Sequence, residues 1–122
     1  MLAMLDSGGP ERDQIVKLKE SLNLSKTLGA PVQEIQLQQH ISSIQMACGQ
    51  LDEALSCGQE ALNQSQTIGN RLEEAKSLSL LAQVLDQKGE HQLAAEQVGI
   101  AEAMLQSMGI PIQPRGQVPF PN

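Results

Sequence analysis

Tryptophan and tyrosine are absent from the 122-residue chain, and Phe120 is its single aromatic. Stacking platforms for single-stranded nucleic acid need aromatic faces, as do most carbohydrate sites, so both classes are excluded as expectations. Basic residues are also scarce, 8 against 14 acidic, and the formal charge of -6 repels phosphate backbones and anionic membrane surfaces. Neither nucleic acid nor membrane is an expected partner. No apolar run approaches the roughly 18 to 20 residues that cross a bilayer, and the opening 1–6 segment has neither the basic flank nor the length of a signal peptide. A cytoplasmic location is the default expectation. The two cysteines, Cys48 and Cys57, are too few for a disulfide framework, and His40 and His91 lie too far off in sequence to complete a zinc set. Both thiols are expected to be semi-buried small hydrophobes, and no metal or other cofactor is expected. No phosphate loop, nucleophile elbow or His/Cys/Asp constellation is present either, so no catalytic residue is assigned.

What the chain does have is punctuation. Glycines stand at 9, 29, 49, 69, 89 and 109, so six of the ten glycines share a strict spacing of twenty. Pro10, Pro31 and Pro111 follow close behind three of them. Glycine ends a helix by taking the left-handed conformation, and proline is tolerated in the first turn of the next. Each block therefore reads as helix plus tight turn, with helices over about 11–28, 32–48, 51–68, 71–88 and 91–108. Replacement of a marker such as Gly69 is expected to cost more than the same change at Gly58, inside a helix. Asn70 with Glu73 has the form of a capping box. The acidic pairs Asp52-Glu53 and Glu73-Glu74 fall in first turns, where they complement the helix dipole rather than indicate acid/base catalysis.

Alternate markers differ, which doubles the period to forty. Gly29, Gly69 and Gly109 follow apolar residues and end one helix type, whereas Gly49 and Gly89 open the other, with Ala54 and Ala94, then Ala61 and Ala101, at matching places. A forty-residue helix pair cannot bury its apolar face alone and must stack on neighbours. The expected fold is all-α, an α-solenoid of antiparallel helix pairs with about five helices.

The segment Gly49-Gln50-Leu51-Asp52-Glu53-Ala54 with Ala61-Leu62 resembles the turn and second helix of a tetratricopeptide repeat. Gly89-Glu90-His91-Gln92-Leu93-Ala94 with Ala101 repeats it, and Leu81-Ala82 with Leu85 resembles the family's first helix. The period is forty rather than about 34 residues. Gln38, Gln45, Leu78, Leu85, Gly58 and Val98 stand at the family's aromatic places, and Ser42 replaces its glycine-like residue. A HEAT-like array shares the period and is the alternative architecture. On this register the array covers 1–109, as a partial repeat 1–29 and repeats of about 30–69 and 70–109. Residues 110–122, with four prolines, are expected to be an extended tail or linker whose Pro111–Arg115 stretch has PxxP form. Residues 5–9 match 85–89, so the chain is expected to be excised from a longer array.

The resemblance implies a protein-interaction module whose first helices line a concave groove for a peptide or partner protein. Helical spacing then points Gln36, Gln39, His40, Ser43 and Met46 into it, and Lys76, Ser79, Leu80 and Gln83 from the next repeat. Leu80 is expected off the packing stripe formed by Leu78, Leu81 and Leu85, and exposed. The glutamines, Gln38 and Gln45 among them, need no function if they are good helix formers on solvated faces. Of the basic clamp by which co-chaperone members hold a carboxyl terminus, only Lys76 is in place. The alternative function is a structural or sensor scaffold arm of a larger regulator. Ile15, Leu18 and Leu22, on a helix left without a covering partner, are expected to drive homodimer formation through the N-terminal helices.

Overall fold

The computed structural model of the protein describes residues 9–109 as five helices: α1 Gly9–Leu28, α2 Pro31–Ala47, α3 Leu51–Ile68, α4 Arg71–Gln87 and α5 His91–Ser107. No strand occurs among the described residues. The residue 110–122 tail and the match of 5–8 to 85–88 lie outside the described residues. The helix ends fall within two residues of those the glycine spacing predicts, for the reason that spacing implies. Gly29, Gly49, Gly69, Gly89 and Gly109 all have positive φ, between 68° and 90°. After each of the first four, the next amide folds back onto the carbonyl five residues earlier: Ala30 to Ser25, Gln50 to Gln45, Asn70 to Ser65 and Glu90 to Leu85, at 2.8–3.0 Å. Orphan carbonyls at the helix ends are thereby satisfied. Gly49 and Gly89 thus close the preceding helices as well as opening the next, so the two turn types share one device. Gly9 differs from these five in being the first residue of a helix, α1.

Half of the expected capping box forms at α4. The Asn70 side chain accepts the Glu73 amide at 3.1 Å, while the Glu73 carboxylate turns away from the cap and into the interface with α2.

Each helix packs antiparallel on the next across these short turns, giving a solenoid of helix pairs, and α2 also touches α4 directly. Ala54, Ala61, Ala94 and Ala101 are all buried, the small residues permitting close approach at equivalent places in both repeats. Leu62, Leu78, Leu81 and Ala101 form the apolar core, with Leu55 and Met104 packed against it, so the core lies among α3, α4 and α5. The seam around α2 has a different character. Ile35 and Ile41 are fully buried there, but so are Gln38 and Ser42, and Gln45 is buried at 4% exposure. Forty residues on, the last three correspond to Leu78, Ala82 and Leu85. The expectation that Gln38 and Gln45 lie on solvated faces is therefore corrected, since α1 and α3 cover α2 from both sides. Ser42 uses its place well: its hydroxyl donates to the Ala54 carbonyl at 2.6 Å, tying α2 to α3.

Gly58 carries a constraint of its own. It is buried, and a β-carbon there would lie 2.9 Å from Leu81 Cδ2. Open space surrounds Gly69, where a side chain would be strained by the backbone alone. Each position excludes larger residues, Gly69 by its φ and Gly58 by the close approach of α4.

Candidate functional site

The first helices α2 and α4 lie side by side, and the polar groups between them converge on Glu73. Its carboxylate Oε2 accepts from Gln36 Nε2 at 3.1 Å and from Lys76 Nζ at 3.3 Å. Gln39 Nε2 donates to the Glu73 carbonyl at 3.3 Å and to Ser77 Oγ at 3.0 Å. The Glu73 side chain is only 5% exposed, whereas Lys76 is 48% exposed, so the ion pair is buried at one end and wet at the other. Spacing alone gave Glu73 a helix-end role. Its position four residues before Ser77, on the α4 face turned to α2, was the available signal that it links the two first helices. Gln36 and Gln39 accordingly hold α2 against α4, and are not free groove groups.

Six of the nine expected groove residues line one recess of about 290 Å³: Gln39 and Ser43 from α2, with Lys76, Ser79, Leu80 and Gln83 from α4. Leu105 of α5 completes it and was not anticipated. Gln36, His40 and Met46 do not line this recess; Gln36 and His40 are exposed, and Met46 is half-buried. Ser43 and Gln83 are exposed, and Ser79 is half-buried. Leu80 is corrected: it is 7% exposed, packed into the wall it shares with Leu105 rather than presented to solvent. A second helix follows each first helix, so the side of α4 away from its Leu78 and Leu81 stripe still finds cover.

A wider cleft of about 880 Å³ opens elsewhere, between the second helices α3 and α5. Its walls include Leu55, Leu62 and Leu81, so it is the outer seam of the apolar core, edged by Asp52 and Glu60. Asp52 is itself paired with Lys88.

At the N-terminal end, Ile15, Leu18 and Leu22 are half-buried, because α1 packs on α2. The apolar face expected to be uncovered is thus partly covered within the molecule, while Val16 at 50% and Leu24 at 58% exposure point outward. Cys48 is exposed and Cys57 half-buried, which corrects the expectation for Cys48. Burial pushes the Cys57 thiol up, the nearby Lys19 acting against it.

Among the described residues no group of three or more His, Cys, Asp or Glu side chains is placed to hold a metal ion, and no helix is long and apolar enough to cross a membrane. The arrangement offers hydrogen bonds and shape: amides, hydroxyls and one ammonium around a small apolar wall.

No relative among curated proteins matches the chain. A family profile described as tetratricopeptide repeat matches residues 34–107, from the first turn of α2 to the last residue of α5. That span takes in both helix pairs, and with them the turns and buried alanines that carry the register, in place of the HEAT-like alternative. The chain belongs to the tetratricopeptide repeat family.

Proposed function

We propose that this array holds a peptide or a partner's surface in the recess between α2 and α4. Tetratricopeptide repeats generally act as protein-interaction modules, and the carrying observation is the convergence of Ser43, Lys76, Ser79 and Gln83 around the buried Leu80 and the half-buried Leu105. An extended peptide has amides to match the hydroxyl and amide groups, and a small apolar side chain to meet the leucines. With Lys76 half-neutralised by Glu73, the recess has no strong preference for an acidic terminus. The test is selection from a random peptide library, followed by affinity measurement on variants. Ser43→Arg combined with Gln83→Arg, both at exposed positions, is expected to weaken selected peptides about tenfold or more, the scale of one to two lost polar contacts. Gln59→Arg, in the cleft between second helices, should leave them unchanged. Peptides indifferent to the recess pair and sensitive to Gln59→Arg would overturn the assignment.

The scaffold reading is favoured by a separate observation, the outward Val16 and Leu24 on α1. Two such side chains contribute about 1.5–3 kcal/mol each when fully covered, enough to support weak pairing of two copies through α1. Sedimentation velocity is expected to show concentration-dependent association that Val16→Glu abolishes. Leu18→Glu is not a clean control, because Leu18 also packs within its own chain. A monomer at every concentration would remove this reading.

A further inference from the structure

On another face of the array, α1, α2 and α3 border an open polar cavity of about 390 Å³ whose lining includes the exposed Lys26 and Glu60 at its rim and Glu34, Gln38 and Gln64 deeper in. Glu34 and Gln38 are buried, at 9% and 2% exposure. Gln64 Nε2 donates to Glu34 Oε1 at 2.7 Å, which fixes the orientation of the Gln64 amide and leaves its Oε1 buried with no hydrogen-bond partner among the described residues. Gln38 Oε1 is buried and unpartnered in the same way. Two amide oxygens therefore stand beside a buried carboxylate with no donor supplied to them. Buried acceptors are nearly always satisfied in folded proteins, and leaving one unmet is costly.

The second repeat is an internal control. Forty residues on, Gln38 becomes Leu78, Glu60 becomes Ile100 and Gln64 becomes Met104. Leu78 is a core residue and Met104 packs against it, so the fold closes this position with apolar side chains where it can. Nothing in the architecture requires the polar set in the first repeat.

We propose that this cavity is a binding site for a guanidinium group, the side chain of an arginine carried on a partner polypeptide. The lining is rich in acceptors from two helices, and its two carboxylates outnumber the one ammonium. A guanidinium offers five donors in a planar fork and is more weakly hydrated than a lysine ammonium, which suits several oxygens held at fixed places. The free amino acid fits less well, since its own carboxylate would approach Glu34 and Glu60. This site is independent of the recess between α2 and α4, and its test does not depend on that reading.

The experiment titrates the full chain with N-acetyl-arginine amide into the millimolar range, following the side-chain amide signals of Gln38 and Gln64 by NMR. Saturable shifts at both are expected. N-acetyl-citrulline amide, which keeps the shape and loses the charge, should produce none, and free arginine should bind more weakly than the blocked form. Gln38→Leu with Gln64→Met, the residues of the second repeat, is expected to remain folded and to weaken binding about tenfold or more, followed then by the Glu34 amide. Glu60→Gln, at an exposed rim position, should weaken it less while leaving thermal unfolding unchanged. Gln83→Arg should have no effect. Absence of shifts, equal binding of the citrulline probe, or undiminished binding by Glu60→Gln and the folded double variant would overturn the proposal. Tighter binding of free arginine would overturn its assignment to a polypeptide.

Discussion

Leu80→Glu is expected to destabilise the array by about 3–5 kcal/mol, a large share of the roughly 5–15 kcal/mol that holds a domain folded. Leu80 is 7% exposed and shares its wall with Leu105, so a carboxylate there loses water without gaining a donor. The urea midpoint measures it, with Gln83→Glu at an exposed position of the same helix as the comparison. That variant should stay within about 0.5 kcal/mol of the parent. A small effect of Leu80→Glu would mean that the side chain reaches solvent after all, and that the recess presents it to a ligand.

The reverse sign is expected at Gln38 and Gln45. Both are buried, both have an Oε1 without a partner, and the second repeat carries leucine at each equivalent place. Replacing both by leucine removes two unmet acceptors and adds apolar surface to the α2 seam. The expected gain is about 1–3 kcal/mol per site if the two behave independently, and several degrees or more in thermal midpoint. Gln45 also acts on the Cys57 thiol, against the upward push of burial, so its replacement removes a favourable polar influence there and sets the lower end of the range. Thermal unfolding followed by circular dichroism decides it. Destabilisation by the double variant would show that the amides are satisfied in solution and that the polar seam is structural.

Two features of the molecule follow from unequal repeats. The second repeat, with Leu78, Leu81 and Ala101, supplies most of the apolar core, which Leu62 of the first repeat completes. The first replaces Leu78 and Leu85 by glutamine and Ala82 by serine, trading stability for polar groups at the interface with α1. Ser42 recovers its share through its bond to Ala54, whereas Gln38 and Gln45 do not fully recover theirs.

Helix number, turn positions, the period of forty and the paired alanines were all legible in the sequence. Each depends on local chemistry: a positive φ that glycine tolerates, a proline that only a first turn accepts, a small side chain where two axes come close. Gly69 and Asn70 needed no neighbours to be read correctly. Placing side chains around each helix was another matter. A 3.6-residue period fixes the angle at which Leu80, Gln38 or Glu73 leaves its own axis, but not what stands opposite. In a solenoid α2 is covered by α1, α3 and α4 together, so more than one stripe of each first helix is buried. Hence Leu80 is packed although it lies off the Leu78 and Leu81 stripe, Gln38 is sealed although it is polar, and Glu73 leaves its cap for Gln36 across the interface. Only the stacking of one helix pair on the next decides these outcomes, because burial belongs to the pair of surfaces and not to either helix alone.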